Sequence, residues 1–108
     1  MKKILILASN PNQDLRIDRE IRDLKKAVKR SSSQEQFEVE IELAIRPGDL
    51  QELFQEYKPY IVHFCGHGTG EKGLVFENQT GGEQLVSNQA LSSLFRIFGN
   101  DVNCVLLN

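Results

Sequence analysis

The sequence predicts an α/β fold with a mostly parallel sheet, and three observations carry that expectation. Short apolar runs rich in β-branched residues occur at 3–8, 60–65 and 102–108, as in strands buried on both faces. Segments with apolar residues three and four apart lie between strands, the mark of amphipathic helices. One run, 37–43 (Phe-Glu-Val-Glu-Ile-Glu-Leu), alternates strictly, which places a strand with one wet face at a sheet edge. Helix-connected strands pair in parallel through right-handed crossovers. With the hairpin counted apart, a strand order of 2-1-3-4 puts the alternating strand at the edge. It also brings Asn10, His67 and Asn108 to neighbouring carboxyl ends.

The first strand, 3–8, ends at the polar loop Ser9-Asn10-Pro11-Asn12. A helix is expected over 14–30, with Asp14 as its N-cap and Leu15, Ile17, Ile21, Leu24, Ala27 and Val28 on its apolar face. Basic residues at 25, 26, 29 and 30 suit its C-terminal dipole. Residues 31–34, Ser-Ser-Ser-Gln, form a polar break before the edge strand. Arg46-Pro47-Gly48-Asp49 turns the chain, and Asp49 is expected to cap a short helix carrying Leu50, Leu53, Phe54 and Tyr57. Pro59 leads into the central strand. Residues 73–77 and 83–86 read as a small β-hairpin around Asn78-Gln79-Thr80-Gly81-Gly82. Ser87 or Asn88 opens a last helix bearing Leu91, Leu94, Phe95, Ile97 and Phe98, closed by Gly99-Asn100-Asp101. The final strand has no helix after it, so one edge and part of one face should stay uncovered.

The 108 residues suffice for one domain, and 40% apolar with 26% charged residues is a globular composition. A net charge of −2 and a pI near 5.7 leave no electrostatic footprint for nucleic acid or an anionic membrane. The basic residues of 16–30 alternate with acids, as on a solvated helix face. Two cysteines without secretory features point to a reducing, cytoplasmic setting. The apolar run after Met1-Lys2-Lys3 is too short for a signal peptide, and no segment approaches a membrane span.

The chemistry concentrates at His63-Phe64-Cys65-Gly66-His67-Gly68-Thr69-Gly70. His67 stands just past a buried strand, where open α/β sheets bind ligands. Its flanking glycines permit positive φ angles and close backbone approach. Three roles are open to it: acid–base partner of a nucleophile on an adjacent strand end, metal ligand together with His63 and Cys65 on one side of the strand, or a hydrogen-bonded turn residue. Cys65 is too close along its own strand to serve as that nucleophile and reads as a buried thiol, and Cys104 likewise reads as core. A reducing compartment argues against a Cys65–Cys104 disulfide. Gly66, Gly68 and Gly70 meet neither the dinucleotide nor the P-loop pattern.

The same run, with Lys72-Gly73-Leu74-Val75-Phe76-Glu77 behind it and Val-Asn-Cys-Val-Leu-Leu-Asn at 102–108, resembles the caspase-like CHAT peptidase domains of bacteria. Residues 4–11, 15–22 and 90–108 also look like the corresponding segments, especially in cyanobacterial members. The resemblance implies a three-layer caspase-like sandwich, with His67 the histidine of a Cys–His dyad and Gly68 giving a backbone N–H to the oxyanion. His63 would have no chemical step, and Cys65 stands where a serine is more usual. In such domains the nucleophilic cysteine follows the fourth strand in an Ala-Cys dipeptide, which here would come directly after Asn108. The chain is therefore expected to be the N-terminal portion of one such domain, inactive without its nucleophile. No metal and no cofactor is expected. The partners to expect are a protein or peptide substrate, and the remaining half of the domain or a second copy of the chain. The alternative is a catalytically dead caspase-like module that binds a protein partner. A flavodoxin- or TIR-like ligand-binding domain has only the strand order in its favour.

Overall fold

In the computed structural model, residues 2–30, 37–68, 73–98, 102 and 104–107 are described. Four strands form one parallel sheet: β1 (Lys2–Ala8), β2 (Phe37–Glu42), β3 (Ile61–Cys65) and β6 (Cys104–Leu107). Their order is β2-β1-β3-β6, the predicted 2-1-3-4 arrangement. The β4 (Leu74–Glu77) and β5 (Glu83–Val86) strands pair antiparallel as the expected hairpin. The helices are α1 (Ile17–Arg30), α2 (Asp49–Tyr57) and α3 (Asn88–Phe98).

Strand alternation divides the core into two layers. Leu5, Leu7, Val62 and Phe64 pack with Leu50, Leu53 and Phe54 of α2 and with Leu74, Phe76 and Val86 of the hairpin. Leu91, Leu94 and Phe95 of α3 lean on the same layer. Tilted ring pairs knit it together, Phe64 to Phe76 at 5.1 Å and Phe54 to Phe95 at 5.0 Å between centroids. On the opposite face, Ile6, Ala8 and Cys65 meet Ile17, with Ile21 and Leu24 of α1 and Val39 and Ile41 of the edge strand packed around them.

Two helix starts differ from the expectation. The α1 helix begins at Ile17, not 14, so Asp14 is in the loop and caps nothing. Arg16 accepts the first helical bond, from the Glu20 N–H at 3.2 Å. In α2, Gly48 is the N-cap and Asp49 is the first helical residue; its carboxylate accepts the Arg46 N–H at 3.0 Å. By contrast, Ser87 does cap α3, its hydroxyl accepting the Ala90 N–H at 3.1 Å. The polar break at 31–34, the Gly99-Asn100-Asp101 stop and Asn108 lie outside the described residues.

Val105 and Leu106 of β6 are 40% and 46% exposed. A cavity of about 680 Å³ opens between this strand, β3 and α3, lined by Phe64, Leu91, Phe95, Val102 and Val105 among others. Cys104 also lines it and is partly exposed, a correction to its reading as core. A thiol that lines this cavity has open space where a core side chain would have neighbours.

Candidate functional site

Backbone register builds the site. Phe64 of β3 lies opposite Leu7 of β1 on one side and Leu107 of β6 on the other, so three carboxyl ends stand in a row. The chain leaves β3 through Gly66. A Cβ there would sit 2.8 Å from the Ser9 carbonyl oxygen and 2.9 Å from the Phe64 ring, so the close approach of β1 and β3 at this point requires glycine. Gly68 has open space, with only the Leu74 side chain at 3.7 Å. Neither has a positive φ, which corrects one reason given for the pair; their proximity to backbone and ring separates them instead.

After Gly66 the hairpin takes hold of the chain. The Val75 N–H donates to the His67 carbonyl at 2.9 Å, and Gly68 forms a bridge with Leu74. His67 is thus tied by its backbone to β4, while its ring remains 40% exposed at the strand end. No described hydrogen bond uses the Gly68 N–H.

The loop after β1 supplies the ring's partner. Both oxygens of Asp14 lie 3.1 Å from His67 Nε2. Asn10 braces the loop, its amide donating to the Leu15 carbonyl at 2.9 Å and its oxygen accepting the Leu15 N–H at 3.2 Å. Gln13 takes a left-handed φ of 56° and donates its N–H to the Asn10 carbonyl at 3.0 Å. Asn12 reaches Glu83 on the hairpin at 2.9 Å. This compact turn delays the helix and releases Asp14 to face His67. A carboxylate on Nε2 selects the tautomer with its proton there and leaves Nδ1 as the basic nitrogen.

The alternate-residue chelate, one of the three roles open to His67, does not assemble. His63 and Cys65 face α1, but His67, beyond the strand, goes to Asp14. The third group near His63 and Cys65 is Glu20 of α1. Cys65 is fully buried, and burial, then the charge and hydrogen bond of Glu20, push its thiol up to about 12. Such a thiol is no nucleophile, as expected. Cys104 lies opposite Ile61, at the far end of the strand pair from His67. Four register positions therefore separate the two cysteines, which are free. Arg16 and Asp18 pair with each other at 3.2 Å on the exposed start of α1.

Asp14 and Glu20 are the residues that sequence reasoning missed. Asp14 carried a signal, an acid in a loop at a strand's carboxyl end, but a helix cap explains the same letter equally well.

No protein-family model matches the chain. It is 31% identical over 81 residues, 73% of its length, to a protein of Gillisia limnaea named "Probable protease". Over 103 residues, 93% of its length, it is 27% identical to a "Roc-COR-CHAT protease" of an unknown prokaryotic organism. The chain spans only 14% and 10% of those two proteins. These distant likenesses support a protease-like relationship at the level of family, with the CHAT type named in one of them. No helix among the described residues is long and apolar enough to cross a membrane.

Proposed function

We propose that this chain carries the histidine side of a caspase-like cysteine peptidase centre of the CHAT type. The observation that carries the reading is His67, part-exposed at the carboxyl end of β3 and gripped through Nε2 by Asp14 at 3.1 Å. That leaves Nδ1 to accept a proton. Neither cysteine of the chain reaches it, so the reading calls for a thiol from outside these residues. The carboxyl end of β6, beside that of β3, is the adjacent strand end from which it would come.

In this scheme Nδ1 takes the thiol's proton as the sulfur attacks the scissile carbonyl carbon. The Gly68 N–H donates to the oxyanion that forms. His67 then returns the proton to the departing amine, leaving a thioester. Water attacks the thioester with His67 as base, restoring the thiol. Asp14 holds the ring's tautomer and steadies the imidazolium between these steps, as a positioning residue. The substrate class is a protein or peptide, the kind of molecule that the relatives' names imply.

The test is peptide cleavage by the full encoded protein. His67→Ala should cost about 10²–10⁴-fold in kcat, and alkylation of the nucleophilic thiol should abolish activity. Asp14→Asn should cost about tenfold or more, roughly 1.4 kcal/mol of barrier, with the pH profile displaced, while Cys65→Ser should retain activity. Cleavage that persists in His67→Ala, or in alkylated protein, would refute the assignment.

A second reading, a catalytically dead module that binds a protein partner, is favoured by Val105 and Leu106, part-exposed apolar residues on the two faces of β6. It predicts no peptide cleavage by the full protein and a partner interaction lost in Leu106→Glu.

A further inference from the structure

A second cluster of donors lies under α1, on the opposite side of β3 from α2 and α3. Alternation along β3 turns His63 and Cys65 to this face, and Glu20 descends from the first turns of α1. One donor atom from each residue lies within 4.8 Å of the others, and His63 Nε2 is 3.5 Å from a Glu20 carboxylate oxygen. Cys65 is fully buried and the His63 side chain is 10% exposed. The thiol of Cys65 hydrogen-bonds to Glu20. His63 fares differently: neither ring nitrogen has a hydrogen-bond partner among the described residues. Nε2 has the Glu20 carboxylate at ion-pair distance, but Nδ1 is buried with no hydrogen bond among the described residues, and leaving a buried polar atom so costs about 1–3 kcal/mol. The imidazole is thus placed for something other than packing.

We propose that Glu20, His63 and Cys65 form a site for a divalent transition-metal ion of the Zn²⁺ class, joining α1 to the central strand. The donor set is one nitrogen, one sulfur and one oxygen, which suits zinc; calcium and magnesium demand oxygen cages. Bonds of about 2.0–2.3 Å in a tetrahedron set donor atoms roughly 3.3–3.8 Å apart. The 3.5 Å His63–Glu20 separation already fits. On binding, the Cys65 S–H bond breaks, its proton leaves to solvent and a sulfur–metal bond forms. Thiolate and carboxylate then balance the ion's two positive charges, and a His63 ring nitrogen gains a bond to the metal. A cavity of about 260 Å³, lined by Ile6, Leu24 and Leu106 among others, borders the site at His63, and a water would complete the tetrahedron as fourth ligand.

The inference stands apart from the peptidase reading, since His67 takes no part in it. Purified protein, stripped by a chelator, would be titrated with Co²⁺ as probe while visible and near-ultraviolet absorption are followed. One equivalent should bind with four-coordinate ligand-field bands and thiolate-to-cobalt charge transfer, and Zn²⁺ should displace it. Cys65→Ser should lose the charge-transfer band. Glu20→Gln and His63→Gln should bind about tenfold or more weakly, while His67→Ala should bind like the parent. Zn²⁺ should raise the Tm of the parent, and EDTA should reverse the rise. Circular dichroism checks that each variant is folded. If Cys65→Ser does not fold, the part-exposed Glu20→Gln decides. Absence of charge transfer in folded parent protein, or its survival in Cys65→Ser, would overturn the proposal, as would loss of binding in His67→Ala.

Discussion

Gly66→Ala tests how the end of β3 is held. The added methyl would lie 2.8 Å from the Ser9 carbonyl oxygen and 2.9 Å from two atoms of the Phe64 ring. The carbonyl belongs to backbone that is itself fixed, because the Ser9 N–H donates to the Cys65 carbonyl at 3.0 Å. The ring is wedged against Phe76, with 5.1 Å between centroids. Relief therefore means prying β1 from β3 or displacing a core aromatic. Forced overpacking of this kind costs about 1–3 kcal/mol, and each kcal/mol lowers Tm by roughly 4–8 °C in a domain of this size. Gly68→Ala is the matched control: its methyl meets only a flexible Leu74 methyl group at 3.7 Å, so its Tm should stay close to the parent's. Thermal unfolding followed by circular dichroism, with urea midpoints as a second measure, reads both. Equal stability of Gly66→Ala and parent would refute the close-approach argument, as would a larger loss in Gly68→Ala.

Two further outcomes follow from the electrostatics. Burial and Glu20 push the Cys65 thiol up to about 12, so at pH 8 only about one part in 10⁴ is thiolate, against roughly a quarter of a free cysteine. In metal-free native protein, iodoacetamide should label Cys104 well before Cys65, with the order read by peptide mass mapping; equal rates would contradict the burial. On β2, the Glu40 carboxyl shares a hydrogen bond with Glu38, is partly desolvated and feels the charges of Glu38 and Glu42, which together outweigh Lys3 and raise its pKa. A raised carboxyl binds its proton more tightly in the folded state, so its ionised form destabilises the fold at neutral pH. That penalty is relieved as pH falls through the raised folded value toward the ordinary one. Glu40→Gln should accordingly melt slightly higher than the parent at pH 7, with the gap closing in acid. A gap that widens in acid would reverse the sign of the argument.

Much of the architecture is written in local periodicity. The β-branched runs of β1, β3 and β6, the alternation of β2 and the helical spacing in α1 and α3 each encode an element and its buried face within a few residues. Chain order and right-handed crossovers then leave little freedom in strand order. His67 was legible for the same reason: a histidine directly after a buried strand must emerge at that strand's carboxyl end. What faces it was not. Asp14 meets His67 across 53 positions because Asn10 and the left-handed Gln13 hold the loop in a turn that postpones the helix. Glu20, not His67, meets His63 and Cys65, because helix rotation over the sheet chooses the contact. Two glycines alike in sequence differ because one is pressed against the neighbouring strand's backbone. Local pattern determines which face of an element is buried; which side chains then touch depends on register, loop geometry and helix placement, and those exist only once the layers have packed.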